Sequence, residues 1–185
     1  MKKLTNNAGF SMMEMLVTLL ILGLVAALGL PSLNEFIEGN RLNAALADLQ
    51  SAMQAGRAEA VGRNAYVTLC KKNADSTDCV TDGGWQQGWI IFVDVDGDGT
   101  VDVGDEILLI HEELLGTLTF HGTAGVKDLI TFRPSGQTSV TSLQTLILCD
   151  ARGFVADAKG MVVSIMGRAS SMSATSTAQV SCLIP

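Results

Sequence analysis

Gly9-Phe10-Ser11-Met12-Met13-Glu14 opens an apolar run that continues without another charge to Leu30. The 21 positions from Phe10 to Leu30 hold one ionisable residue, Glu14, and an α-helix needs about 20 apolar residues to cross a bilayer core. The run reads as a membrane span. Ahead of it stand nine residues with Lys2 and Lys3 and no acid, so the positive-inside bias keeps the N-terminus in the cytoplasm and sends the chain after Pro31 outward.

A secretory signal places its apolar region before a small-residue cleavage site and is lost from the mature protein. Here the order is reversed, because the glycine junction Gly9-Phe10 lies on the cytoplasmic side. A cut there removes the basic leader and keeps the span. Glu14 then lies four residues from the new N-terminus. A carboxylate within a span costs about 2.5–3.5 kcal/mol at the centre on insertion scales, less near an edge, and is usually kept for a partner. The plainer alternative is a side chain that reaches the interface.

Taken together, Gly9, Phe10, Glu14, the apolar run and Pro31 resemble the class III leader and N-terminal helix of type IV prepilins and pseudopilins. The resemblance implies cleavage after Gly9 by a prepilin peptidase and N-methylation of the Phe10 amine. It also implies residence in the inner membrane with a periplasmic head. Assembly would run through the helix, with other minor and major pilins as partners and an inner-membrane assembly platform. In such assemblies the carboxylate matching Glu14 is thought to meet the N-terminal amine of a neighbouring subunit. A buried charge is tolerable chiefly when an opposite one matches it.

One span plus about 150 residues leaves room for one domain of ordinary size. The expected division is a leader over 1–9, a membrane or filament-core helix over 10–30, an amphipathic continuation over 31–63 and a β-rich head over 64–185. The chain carries 12 basic and 19 acidic residues, a net charge of −7. Such an acidic surface repels phosphate backbones and disfavours generic nucleic-acid binding. Four cysteines, Cys70, Cys79, Cys149 and Cys182, form an even set expected in an oxidising compartment, where disulfides are the default. Four cysteines allow three pairings. Spacing favours Cys70 with Cys79, closing a short loop, and leaves Cys149 with Cys182. Zinc is disfavoured, because no pair has C-x2-C spacing and His111 and His121 do not adjoin the cysteines.

Pro31 removes a backbone donor and predicts a kink. Beyond it Leu42, Leu46, Leu49 and Met53 recur at spacings of four, three and four, one apolar stripe of an amphipathic helix. Gly62 and Asn64 supply the stop, giving a rod from Phe10 of about 80 Å at 1.5 Å per residue. The pattern then becomes short β-rich runs: 66–70, 88–93, 106–112, 117–121, 129–133, 144–149 and 161–165. Ser170 to Thr177 reads as a loop before a last strand with Cys182. The expected fold class is α+β, a type IV pilin-like fold whose long helix packs on an antiparallel sheet or small sandwich.

Three further groups of residues add to the resemblance. They are Gly88-Trp89-Ile90-Ile91-Phe92-Val93-Asp94 with Asp105-Glu106-Ile107-Leu108, Thr131-Phe132-Arg133-Pro134-Ser135-Gly136, and Leu148-Cys149-Asp150-Ala151-Arg152-Gly153 with Gly167-Arg168. These are similar to the H-type pseudopilins and the FimT/FimU branch of minor pilins. The branch implies a subunit of a priming or tip complex that supports pilus assembly, twitching motility and adhesion. An alternative is an H-type minor pseudopilin of a type II secretion system. A third is a FimT-like competence pilin that binds DNA through Gly-Arg-x-Arg. Here that stretch reads Gly167-Arg168-Ala169-Ser170 without the second arginine, which disfavours nucleic acid.

The stretch Asp94-Val95-Asp96-Gly97-Asp98-Gly99-Thr100-Val101-Asp102-Val103-Gly104-Asp105 places carboxylates at positions one, three, five, nine and twelve of a calcium-type loop. Asp94, Asp96, Asp98, Asp102 and Asp105 are therefore candidate ligands for calcium, and no other cofactor is expected. The competing reading is an Asp/Gly hairpin turn whose carboxylates cap local amides. Strand-like flanks favour the turn. No nucleophile or acid pair accompanies His111 and His121 at recognisable spacing, Trp85 and Trp89 read as packing, and no enzyme is expected.

Overall fold

The computed structural model describes residues 10–150, 158–173 and 182, with residues 30–32 and 173 described by their backbone alone. Helix α1 spans Met12–Arg63, 52 residues, and is unbroken across residues 30–32. The chain divides into two compact units, Met1–Glu38 and Gly39–Pro185. In the first, the described side chains of α1 are exposed apart from a half-buried Glu38. In the second, Leu42, Leu46, Leu49 and Met53 are all buried, as the stripe predicts. Asn64 takes a φ of +53°, and the Ala65 N–H reaches back to the Ala60 carbonyl at 3.2 Å. This left-handed cap ends the helix, so Asn64 is the stop and Gly62 lies inside the last turn.

Eight strands follow: β1 Tyr66–Lys71, β2 Trp89–Asp94, β3 Glu106–His111, β4 Thr119–Gly122, β5 Leu129–Phe132, β6 Gln144–Cys149, β7 Lys159–Val163 and β8 Ala169–Ser173. They form two four-stranded sheets, β3-β2-β1-β5 and β4-β6-β7-β8, and every pairing is antiparallel. The expected loop over 170–177 is corrected here, since Ala169 to Ser173 pair with β7 from Val163↔Ala169 to Lys159↔Ser173. Ser, Ala and Met carry little strand signal of their own. Hairpin closure through Gly167, whose φ is +74°, supplies what composition lacks. Of the expected last strand only Cys182 lies within the described residues.

One core joins the α1 stripe to the inner faces of both sheets through Val67, Leu69, Ile91, Phe132, Leu148 and Met161. Gly56 allows a close approach, because a Cβ there would stand 3.3 Å from the Phe132 ring. On the outer face of the first sheet Cys70, Ile90 and Phe92 are covered by Cys79, Val101, Ile107 and Leu129. Bridges join Cys70 to Cys79 and Cys149 to Cys182. Trp85 and Trp89 are fully buried, and the Trp85 indole donates to the Val126 carbonyl at 3.0 Å.

The Asp/Gly turn between β2 and β3 is held by its own acids. Buried Asp94 accepts from the Thr68 hydroxyl at 2.6 Å, from the Gly97 N–H at 2.7 Å and from the Gly99 N–H at 3.1 Å. Thr131 extends this network, its hydroxyl 2.8 Å from that of Thr68. Asp105 accepts from the N–H groups of Val95 and Asp102 at 3.0 and 2.9 Å. Gly97 and Gly99 adopt φ of +78° and +84°, a region open to glycine at little cost. Leaving buried donors unsatisfied costs about 1–3 kcal/mol each. Asp94→Ala is therefore expected to lower unfolding free energy in urea by about 3 kcal/mol or more, and exposed Asp96→Ala by about 0.5 kcal/mol or less. Chelator should leave the difference unchanged.

Half-buried His121 on β4 has an Nε2 without a hydrogen-bond partner among the described residues. Burial, and secondarily the charge of Lys71, lower its pKa from the ordinary 6.5. The unfolded chain then takes up this proton at a higher pH than the folded one, so stability is present above about pH 6.5 and is lost as pH falls through the folded value. His121→Gln is expected to remove this component, read as a flatter dependence of the urea midpoint on pH below 6.5.

Candidate functional site

Residues 10–29 present apolar side chains in every direction. Phe10, Met13, Leu16, Leu20, Leu24 and Leu28 are all exposed, and so are Leu33 and Phe36 farther on. Leaving such a surface in water costs about 25 cal/mol per Å², so a contiguous patch of this size marks a contact with lipid or with other apolar chains. The helix is long and apolar enough to cross a membrane. Glu14 lies in its first turn, where a negative charge complements the helix dipole, and among the described residues it has no ion-pair partner. Phe10 is 77% exposed. Gly9, the other half of the expected cleavage junction, lies outside the described residues.

Of the five candidate calcium ligands, Asp94, Asp96 and Asp98 bring carboxylate oxygens within 4.8 Å of one another. Asp102 and Asp105 do not join that group. Asp105 is committed to the N–H groups of Val95 and Asp102. Asp98 accepts from the Thr100 hydroxyl at 2.7 Å and its N–H at 2.8 Å, which lower its pKa from the ordinary 3.8. Each of these bonds serves the turn itself. The geometry needed to wrap one cation with all five acids is not assembled.

The two histidines lie on different sheets. His111 stacks on Trp89 with centroids 4.0 Å apart, and its Nε2 is 3.6 Å from Asp48 of α1. His121 sits on β4 of the second sheet. Glu112, just beyond β3, is exposed and pairs with Lys72 at 3.1 Å.

Two features escaped the sequence reading. Lys71 is fully buried, with its Nζ 2.8 Å from Asp128 and within 3.3 Å of the Thr81 and Gly83 carbonyls; a lysine ending an apolar strand carries no signal of burial. The second is Arg57, whose side chain lies against the turns at Gly136 and Gly167. Its place four residues after Met53 on the stripe was the available clue. It shares a hollow with Arg168 and with Ala169 and Ser170 of the β7–β8 hairpin.

Comparison with known proteins gives a concordant picture. The profile of the family described as type II transport protein GspH matches residues 45–167, and that of the prokaryotic N-terminal methylation motif matches residues 4–30. No curated protein matches the chain significantly. Among solved structures, the chain is similar to the type IV minor pilin FimU of Pseudomonas aeruginosa strain PAO1 in two crystal forms. One shares 23% identity over 80% of this chain and 99% of that chain, with a TM-score of 0.59. The other shares 22% identity over 76% and 99%, with a TM-score of 0.55. The minor pseudopilin EpsH from the type 2 secretion system of Vibrio cholerae shares 10% identity over 72% and 97%, with a TM-score of 0.49. A long N-terminal helix on a two-sheet antiparallel head is the type IV pilin-like fold of FimU, and the extent of the profile match shows that this chain belongs to the GspH family of minor pilins and pseudopilins.

Proposed function

We propose that the chain is a FimU-like minor pilin, a structural subunit of the priming or tip complex of a type IV pilus. The observation that carries this reading is the helix over residues 10–29, apolar and exposed on all sides, with a single carboxylate in its first turn. Such a surface suits lipid before assembly and the helices of other pilins after it. Cleavage after Gly9 by a prepilin peptidase would create a Phe10 amine, to be N-methylated. That amine would meet the Glu14 carboxylate of a neighbour in an apolar setting where each needs the other. Pro31 marks the end of the segment that changes surroundings. The precursor would wait in the inner membrane with its head in the periplasm, and the assembly platform would extract it. Its work is architectural rather than catalytic, supporting pilus assembly, twitching motility and adhesion.

The description of the matched family favours a second reading, an H-type minor pseudopilin of a type II secretion system. Deletion separates the two, since loss of surface pili and twitching supports the first and loss of protein secretion with pili intact supports the second. A FimT-like DNA-binding role has less support, because Arg168 stands without the second arginine of that motif.

Two outcomes test the shared mechanism. Protein isolated from membranes of cells that possess the peptidase is expected to begin at Phe10 and to carry one added methyl group by intact mass; a product beginning at Met1 overturns the reading. Glu14→Gln is expected to leave membrane insertion unchanged. Its recovery in sheared filaments should fall by about a hundredfold or more, as breaking a buried pair costs about 3–5 kcal/mol.

A further inference from the structure

We propose that the hollow between α1 and the outer edge of β8, which no described strand covers, receives an extended, carboxylate-bearing segment of another subunit, added as a fifth strand to the second sheet. This rests on the reading of the chain as an assembling subunit, but on a surface separate from residues 10–30.

Strand β8 closes the order β4-β6-β7-β8, and among the described residues no strand pairs with its outer side. The Ser164 N–H donates to the Arg168 carbonyl at 3.0 Å, which turns the backbone groups of Arg168 toward β7. In an antiparallel ladder this direction alternates, so Ala169 and Ser171 turn their N–H and C=O groups away from the sheet. The Ala169 carbonyl indeed points at α1, where Gln50 Nε2 stands 3.5 Å away. That distance is the weak limit of a hydrogen bond, and an incoming strand would compete for it easily. Exposed edges of this kind are normally blunted or covered because they invite pairing. Small Ala169, Ser170 and Ser171 leave this one accessible.

Two hollows lie along the edge, of about 410 Å³ beside Ser171 and about 780 Å³ beside Ala169 and Ser170. Their opposite wall is one face of α1, carrying Asn43, Ala47, Gln50 and Gln54 at spacings of four, three and four. Side-chain amides on such a wall can bond the second edge of an extended chain while β8 bonds the first. Because α1 stands on the far side, the slot admits one extended segment and excludes the edge of a folded sheet such as β3, which has β2 attached. The occupant is therefore a terminal or loop segment with both edges free.

Charge selects its chemistry. Arg57 and Arg168 both line the larger hollow, and among the described residues neither guanidinium has an acidic partner. The nearby acids are turned elsewhere: Asp48 toward His111, and Glu59 to Arg63, which also holds Glu106. On a chain of net charge −7, two unneutralised arginines at one end of a strand-shaped slot fit a carboxylate beside an extended backbone. Strand addition of this sort takes affinity from main-chain bonds and specificity from side-chain pockets.

The test uses the full chain in its own cells, with a benzophenone amino acid replacing exposed Gln54, ultraviolet cross-linking, and mass-spectrometric mapping of the attached peptide. The expected product is a peptide of another pilin-type subunit that contains Asp or Glu. Its yield should fall at least tenfold in Ser171→Pro, which removes an outward N–H without touching the β7 ladder. An equal fall is expected in the Arg57→Glu/Arg168→Glu double variant, and no change in Lys127→Glu. Cleavage at Gly9 and filament incorporation report separately on the helix. Normal incorporation with no cross-link, a cross-link to this chain's own sequence or to nucleic acid, or a yield indifferent to the groove variants overturns the inference.

Discussion

Burial of one helical stripe against two sheets is the interaction on which the head depends. Leu42, Leu46, Leu49 and Met53 form a continuous apolar surface that both sheets share, and they join residues of β1, β2, β5, β6 and β7 in a single core. Among the described residues no further helix covers the inner face of either sheet, so each would expose apolar side chains if α1 were withdrawn. Removing that area from water contributes about 25 cal/mol per Å². Gly56 lets the two layers approach closely, where the Phe132 ring occupies the space a side chain would need. The helix thus acts as the shared partner through which two small sheets become one domain.

The same helix has two surfaces with opposite requirements. Up to residue 29 it is apolar on every side, which suits surroundings as apolar as itself, whereas from Gly39 it is apolar on one stripe, which suits a fold with water on its other side. This change is visible in the residues themselves: a run of 21 with one acid, followed by leucines at helical spacing. It explains why the long helix, its stripe and the family resemblance were legible from sequence. Most strands were legible too, because β-branched and aromatic runs between Gly, Asp and Pro turns have few alternatives.

The illegible parts share a cause, which is dependence on partners distant in sequence. Strand β8 is made of Ala, Ser and Met and exists because β7 offers it a ladder. Lys71 is buried because Asp128 and two carbonyls converge on its amine, and no rule of composition anticipates a lysine there. In the Asp/Gly turn the residue types suggested either a cation or a self-capped hairpin. Three-dimensional placement separates Asp102 and Asp105 from the other three acids and gives Asp94 three donors of its own. Spacing alone carried both readings, and the second depends on Thr68 reaching Asp94 from the adjacent strand.

The location of the two disulfides has a mechanical consequence. Both join residues after the helix, Cys70 to Cys79 and Cys149 to Cys182, and the helix contains no cysteine. Tension entering through the N-terminus therefore reaches the sheets along the backbone from Arg63 into β1 and across the α1 stripe, and no disulfide shares that load. A pull that loosens the stripe would leave both bridges closed, because neither crosses from helix to sheet.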